Sequence, residues 1–166
     1  MTASQFPEAL WSEILPGLWQ GGTHDLDVVD GGYIGKCVSK RDFDSVYTLY
    51  GYANPTDWRM KEIRFPFMDG DMSDIDPESD LWLLVSEAHS DWKAGKRVLI
   101  RCQAGLNRSG LVMALVLIRE GYAPEEAIKL IRRQRGEAAL CNYRFVRWLN
   151  NEANLDFWRT GSKLAA

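Results

Sequence analysis

The sequence predicts an α/β domain with a central mixed, largely parallel sheet of about five strands flanked by helices. Short apolar stretches with the composition of strands alternate with longer stretches of helical periodicity, and the last part of the chain contains a run of helical stretches. The chain has 166 residues, of which 46% are hydrophobic, so it suits one domain with a substantial core.

Four stretches have the composition of strands. Residues 12–20 predict a strand pair around the turn dipeptide Pro16-Gly17. The stretch SVYTLY, residues 45–50, is β-branched and aromatic on both faces, as in a buried strand. EIRFPF, residues 62–67, is another candidate, which Pro66 ends or places near a sheet edge. RVLIR, residues 97–101, is a short apolar run and predicts a central strand.

Helical stretches follow an acidic loop at residues 68–77. The apolar residues between Leu81 and Trp92 fall on one helical face, and SGLVMALVLIRE, residues 109–120, has so little polar surface that we expect a buried helix. Pro124 begins a further helix at a position that tolerates proline. Its basic run, Arg132, Arg133 and Arg135, is typical of a solvated face, and the alternative is that one of these arginines contacts a substrate if a phosphate-binding site lies near it. Asn142 is a plausible N-cap for a last helix.

Composition and charge exclude several classes of protein. The formal net charge of −3, from 20 basic and 23 acidic residues, provides no global attraction to nucleic acid or to an anionic membrane. The longest apolar run is too short to span a bilayer and no secretory signal is visible, so we expect a cytoplasmic protein. Three scattered cysteines predict neither a disulfide framework nor a zinc site. We expect residues 1–160 to form a single domain and interpret residues 161–166, GSKLAA, as expression-vector sequence.

The stretch VLIRCQAGLNRSG, residues 98–110, carries the chemistry. A buried strand ends at Cys102, a loop containing Gly105 follows, and a helix begins near Arg108 and Ser109. Backbone N–H groups at a helix N-terminus bind anions, and the helix dipole there favours a thiolate over a thiol. The planar guanidinium of Arg108 matches two oxygens of a phosphate, and Ser109 can donate a hydrogen bond to the cysteine sulfur. This pattern predicts attack by sulfur on a dianionic group.

The segment from Cys102, through five residues, to Arg108 and Ser109 resembles the phosphate-binding loop of the cysteine-dependent protein tyrosine phosphatases. The short chain is similar to the dual-specificity branch of that superfamily. ILPGLWQGG resembles the opening strand of this branch, FDSVYTLYG its next core strand, and FPFMDGDM its general-acid loop. The resemblance covers roughly residues 13 to 150 and implies a single phosphatase domain.

The resemblance also implies roles for individual residues. Cys102 attacks phosphorus and forms a phosphocysteine, while Arg108 and the loop amides hold the phosphate oxygens. The loop residues concerned are Gln103, Ala104, Gly105, Leu106, Asn107 and Arg108. An aspartic acid then protonates the leaving oxygen and later activates water. Asp69, which lies 33 residues before Cys102, is our first candidate, and Asp71 is the alternative. No metal or other cofactor is implied.

One position departs from the family pattern. Arg101 stands where the family usually has histidine immediately before the cysteine. Arginine supplies positive charge but not the neutral hydrogen bonding of histidine, so we expect altered rather than abolished activity.

Three functions are therefore open. The first is hydrolysis of phosphotyrosine in a protein or peptide, with phosphoserine and phosphothreonine as further candidates. The second is an RNA 5′-triphosphatase, because GLNRSG resembles the GLNRTG of such enzymes; this is the one reading with a nucleic acid partner. The third, motivated by Arg101, is a phosphate-binding module with little turnover. No membrane partner is expected.

Overall fold

The computed structural model describes residues 6–23 and 37–162. Five strands form one sheet in the order β1-β2-β5-β3-β4. The strands are β1 (Trp11–Leu15), β2 (Leu18–Gly21), β3 (Ser45–Thr48), β4 (Lys61–Arg64) and β5 (Val98–Arg101). Only the β1–β2 pair is antiparallel, and the other pairs are parallel. The predicted fold class is confirmed, and each predicted strand is present within a few residues of its expected bounds.

The described residues also form five α-helices, the first three of which pack directly on the sheet. They are α1 (Trp82–Lys93), α2 (Arg108–Glu120), α3 (Pro124–Arg135), α4 (Tyr143–Asn151) and α5 (Leu155–Thr160). One π-helical turn, Pro77–Leu81, leads into α1. The four expected helices are present, whereas the short α5 was not anticipated because six residues carry too little periodicity to detect. Residues 163–166 of the expected vector tail lie outside the described residues, and Gly161 ends α5.

The strand register places the active-site loop. Arg101, the last residue of β5, is paired with Gly21 of β2 on one side and with Thr48 of β3 on the other. The carboxyl ends of these three parallel strands therefore meet at one edge of the sheet, which is where ligands bind in open α/β sheets. Pro66 follows β4, which lies at an edge where a missing N–H is tolerated.

The helix that follows the loop is anchored in the core. Every residue of α2 from Ser109 to Ile118 is buried, and the helix packs against the sheet and against α1, α3 and α5. Truncating one such buried leucine costs about 2–5 kcal/mol, so the start of α2 is held firmly. A smaller apolar cluster that includes Phe43 and Leu99 covers part of the other face of the sheet. Among the described residues, no helix has the length and apolar character needed to cross a membrane.

Candidate active site

Cys102 follows the last residue of β5 and is almost entirely buried, with 2% of its surface exposed. Its Sγ lies 3.3 Å from Oγ of Ser109, in the first turn of α2. The same Oγ accepts a hydrogen bond of 3.3 Å from Nε2 of Gln20, a buried side chain of β2. A hydroxyl has one donor and two acceptor sites, so Ser109 can accept from Gln20 and still donate to a thiolate at Cys102. The geometry suits a serine that stabilises a thiolate.

The carbonyls of the loop point away from its centre. Each of the four carbonyls of residues 103–106 accepts a hydrogen bond from a group outside the loop. The donors are Thr23 N to Gln103 (2.9 Å), Arg135 Nη2 to Ala104 (3.3 Å), Arg135 Nε and Gln20 Nε2 to Gly105 (3.0 and 3.1 Å), and Leu140 N to Leu106 (3.1 Å). Outside donors thus fix the orientation of four successive peptide groups.

The amides of the loop have the opposite arrangement. Within the described part of the chain, the N–H groups of residues 103–107 donate no hydrogen bond to another residue. A run of unpaired N–H groups at the N-terminus of a helix is an anion-binding cradle. Gly105 is needed in it, because its φ is +72° and a Cβ atom there would lie 2.6 Å from the backbone N of Gly22.

Arg108 lies between this cradle and the preceding acidic loop. Its Nη1 donates a hydrogen bond of 3.3 Å to the carbonyl of Phe67, and its guanidinium lies 5.2 Å from the centre of the Tyr50 ring. Its Nε is buried and makes no hydrogen bond to another described residue. The guanidinium is thus held in place while part of its donor capacity stays available to an anion.

Two asparagines bring Asp69 to the loop. Its Oδ2 accepts a hydrogen bond of 3.0 Å from Asn107, and its Oδ1 accepts one of 2.8 Å from Asn142. Nδ2 of Asn142 also donates to the carbonyl of Gly70 at 2.8 Å. Asn107 belongs to the cradle itself, so Asp69 lies beside the residues that face the anion.

Asp71 has a different environment. It is exposed and accepts hydrogen bonds from the hydroxyl and the backbone N–H of Ser73. The hydroxyl of Ser73, more than its N–H, holds the pKa of Asp71 below its usual range. This side chain is committed to a local turn and has no contact with the cradle among its hydrogen bonds.

Arg101 does not take up the role expected from its place in the sequence. Its guanidinium is buried and donates to Thr48, to both oxygens of Asn54, and to Glu62 at 3.0 Å. Burial raises the pKa of Glu62, but hydrogen bonds from Arg64 and Thr48 and the charge of Arg101 outweigh it and lower that pKa. The side chain ties β5 to β3, β4 and the segment after β3, so its positive charge is used in the fold.

Four side chains that hold this site were not assigned that role from the sequence. Asn142 is the predicted N-cap, because its Oδ1 accepts from Arg144 N at 3.0 Å, but its Nδ2 also holds the acid loop. Asn107 was assigned only a backbone role. Gln20 and Arg135 were not assigned to the site, and Arg135 is buried although its basic run predicted a solvated face. A buried polar residue in an apolar strand, such as Gln20, was the one available signal.

The sheet, the buried cysteine and the cradle of backbone N–H groups define a cysteine-dependent phosphatase. The family model of the dual specificity phosphatase catalytic domain matches residues 39–154. The chain therefore belongs to the dual-specificity branch of the protein tyrosine phosphatases. Within the described residues, no group of three or more His, Cys, Asp or Glu side chains is placed to hold a metal ion.

Individual proteins are similar to this chain. The candidate tyrosine phosphatase 123R of Invertebrate iridescent virus 6 is 26% identical over 140 residues, which cover 75% of this chain and 93% of the viral protein. The human protein tyrosine phosphatase type IVA 3 is 36% identical over 73 residues, 44% of this chain and 42% of that protein. The crystal structure of DUSP15 shares the fold with a TM-score of 0.66 at 18% identity, covering 92% of this chain and 90% of that one.

Proposed function

We propose that this protein hydrolyses phosphotyrosine in protein or peptide substrates through a phosphocysteine on Cys102. The observation that carries the proposal is the cradle, where the N–H groups of residues 103–107, without a partner among the described residues, directly follow a buried cysteine. A phosphoryl dianion fits such a site because each oxygen can accept several N–H bonds. Phosphoserine and phosphothreonine are further candidates for the substrate.

In the first step, the Cys102 thiolate attacks phosphorus and an S–P bond forms while the P–O bond to the leaving group breaks. The hydrogen bond from Ser109 favours the thiolate before attack, and Arg108 together with the loop amides holds the oxygens whose charge redistributes. The Phe67 carbonyl and the Tyr50 ring keep Arg108 near the cradle, which supports this role.

Asp69 is the proposed general acid and base. It gives its proton to the leaving oxygen in the first step. In the second step it accepts a proton from water, the water oxygen bonds to phosphorus, and the S–P bond breaks to release phosphate. The bonds from Asn107 and Asn142 support Asp69 over Asp71, since they hold its carboxylate beside the cradle.

The test is phosphate release from a phosphotyrosine peptide at about pH 6 without added metal, comparing the unmodified protein with Cys102→Ser. Mildly acidic solution suits a thiolate paired with a protonated acid. We expect release that disappears in the variant. Release that persists with Cys102→Ser contradicts the proposed nucleophile. The exposed cysteines give a matched control, and Cys37→Ser keeps activity if Cys102 is the reacting sulfur.

The two alternatives give distinct results in the same assay. An RNA 5′-triphosphatase releases phosphate from triphosphate-ended RNA but not from the peptide. A phosphate-binding module binds the peptide without release. The contacts of Arg101 favour an active enzyme over the module, because they use this unusual residue in the fold rather than in the cradle. The cytoplasmic location remains a prediction.

A further inference from the structure

Arg135, the last residue of α3, is buried behind the active-site loop. It is 4% exposed, whereas Arg133 in the same basic run lies on the surface. Taking a guanidinium out of water is unfavourable unless its donors are satisfied and its charge is compensated. We therefore expect the buried guanidinium of Arg135 to have specific partners in the fold.

The hydrogen bonds of Arg135 go to neutral oxygens. Nε and Nη2 donate to the carbonyls of Gly105 and Ala104 at 3.0 and 3.3 Å. Nη1 donates to the carbonyl of Ala9 at 2.7 Å and to Oγ of Ser12 at 3.1 Å. No carboxylate among the described residues forms an ion pair with it. One planar fork thus holds two successive loop peptides, and its charge lacks a described acidic partner.

The charge of Arg135 is linked to Cys102. Burial lowers the pKa of Arg135 to about 10, and negative charge at Cys102 opposes this decrease. The guanidinium therefore remains charged at neutral pH. The guanidinium bonds the carbonyls of Ala104 and Gly105, two and three residues after Cys102, so its positive charge lies close to the loop that carries the sulfur and favours negative charge there.

The direction of the loop peptides depends on the same side chain. A peptide whose carbonyl is held on one side has its N–H on the other. By accepting from Arg135, the carbonyls of Ala104 and Gly105 turn outward, and the N–H groups of the next residues turn toward the cradle. Gly105 packs directly on the guanidinium, since a Cβ atom there would lie 2.6 Å from Nη2 of Arg135.

We propose that Arg135 is a positioning residue of the active site, which fixes the outward orientation of the Ala104 and Gly105 carbonyls and places a positive charge behind the loop that favours the Cys102 thiolate. The inference rests on the proposed function, because it assigns Arg135 to the same loop. It acts through the loop and does not touch the substrate.

The test measures alkylation of Cys102 by iodoacetamide against pH, followed by mass spectrometry of the peptide that contains Cys102. Arg135→Gln removes the charge but keeps an amide donor, and Arg133→Gln is the control for loss of one charge on the same helix. We expect Arg135→Gln to raise the midpoint of the pH profile by about one unit, which is about tenfold slower alkylation below the midpoint. The control keeps the original midpoint. A folded Arg135→Gln protein with the original midpoint overturns the charge role.

Arg135→Lys separates orientation from charge, because lysine keeps the charge but lacks the planar fork. Inorganic phosphate is added to protect Cys102 from alkylation. We expect a nearly unchanged pH midpoint and an at least about fivefold higher phosphate concentration for half-protection. If the phosphate concentration for half-protection is unchanged, the orienting role is overturned. Arg135→Lys alone tests the proposal if Arg135→Gln does not fold.

Failure of this inference is distinguishable from failure of the proposed function. Alkylation requires no turnover, so the role of Arg135 is measured even in a protein that releases no phosphate. The inference is overturned, and the function stays intact, if the Arg135 variants release phosphate fully and keep both the alkylation midpoint and the phosphate concentration for half-protection of the unmodified protein. Normal circular dichroism is required of each variant before its profile is compared.

Discussion

Replacing Asn142 by serine separates its two roles. Nδ2 of Asn142 holds the acid loop through bonds of 2.8 Å to Asp69 and 2.8 Å to Gly70, while Oδ1 caps α4. Serine is as good an N-cap as asparagine, but it is too short to reach both acceptors. The substitution therefore removes the loop contacts with little effect on the helix. A net hydrogen bond is worth about 0.5–1.5 kcal/mol, and the bond to the exposed Asp69 belongs to the lower half of that range.

Loss of both bonds thus disfavours the docked loop by about 1–2 kcal/mol, which is a 5- to 30-fold decrease in its population. We expect kcat/KM for a phosphotyrosine peptide to fall by that factor and the midpoint of urea unfolding to change little. The same substitution is then made in Asp69→Asn, where the loop carries no acid to position. There we expect less than about a twofold further loss. An equal loss in both backgrounds refutes the argument, since Asn142 would then act elsewhere.

Three more outcomes follow from the described contacts. Asp69→Asn lowers kcat on a phosphotyrosine peptide about 10²- to 10³-fold, measured by phosphate release. Asp71→Asn keeps kcat within about twofold of the unmodified protein, because Ser73 holds its carboxylate in a local turn. The reverse order would assign the general acid to Asp71. Gly105→Ala abolishes the protection of Cys102 from alkylation by phosphate and lowers the free energy of unfolding in urea by more than about 1 kcal/mol, because φ is +72° at this position. Unchanged protection and an unchanged free energy of unfolding would contradict the role given to Gly105. Asp91→Asn lowers the free energy of unfolding at pH 7 by about 1–3 kcal/mol, because its lysine partners are partly exposed. The gap to the unmodified protein narrows below about pH 4.

The acid dependence expected for Asp91 follows from its contacts. Burial raises the pKa of Asp91, but hydrogen bonds from Lys61, Lys96 and Tyr47 outweigh burial and hold that pKa well below its usual range. A carboxylate with a depressed pKa in the folded protein stabilises it above the unfolded pKa. That contribution decreases as the pH falls toward the folded pKa. A constant gap between the two proteins from pH 7 to pH 3 would contradict this account.

Contacts that are local in the chain could be predicted from the sequence. The strand, loop and helix around Cys102 lie within 13 residues, and Ser109 is only seven residues from the sulfur that it contacts. Apolar runs and glycine positions indicate where such a unit begins and ends, and the family pattern indicates which side chains face the phosphate. The alternation of strands and helices and the buried α2 follow from the same periodicities, whereas the order of the strands in the sheet required the structure.

The contacts between distant segments required the folded chain. Asn142 is 73 residues from Asp69, and Arg135 is 30 residues from the carbonyl of Gly105. Periodicity shows which face of a helix is apolar, but it does not show which polar side chain at the helix end meets which loop. The basic run on α3 therefore predicted a solvent-exposed face, although Arg135 is buried beneath the cradle. Such pairs form where packing of α3 on the sheet, and of α4 on α2 and α3, brings the helix ends to the edge that carries Cys102. A buried donor such as Arg135 must then find an acceptor there.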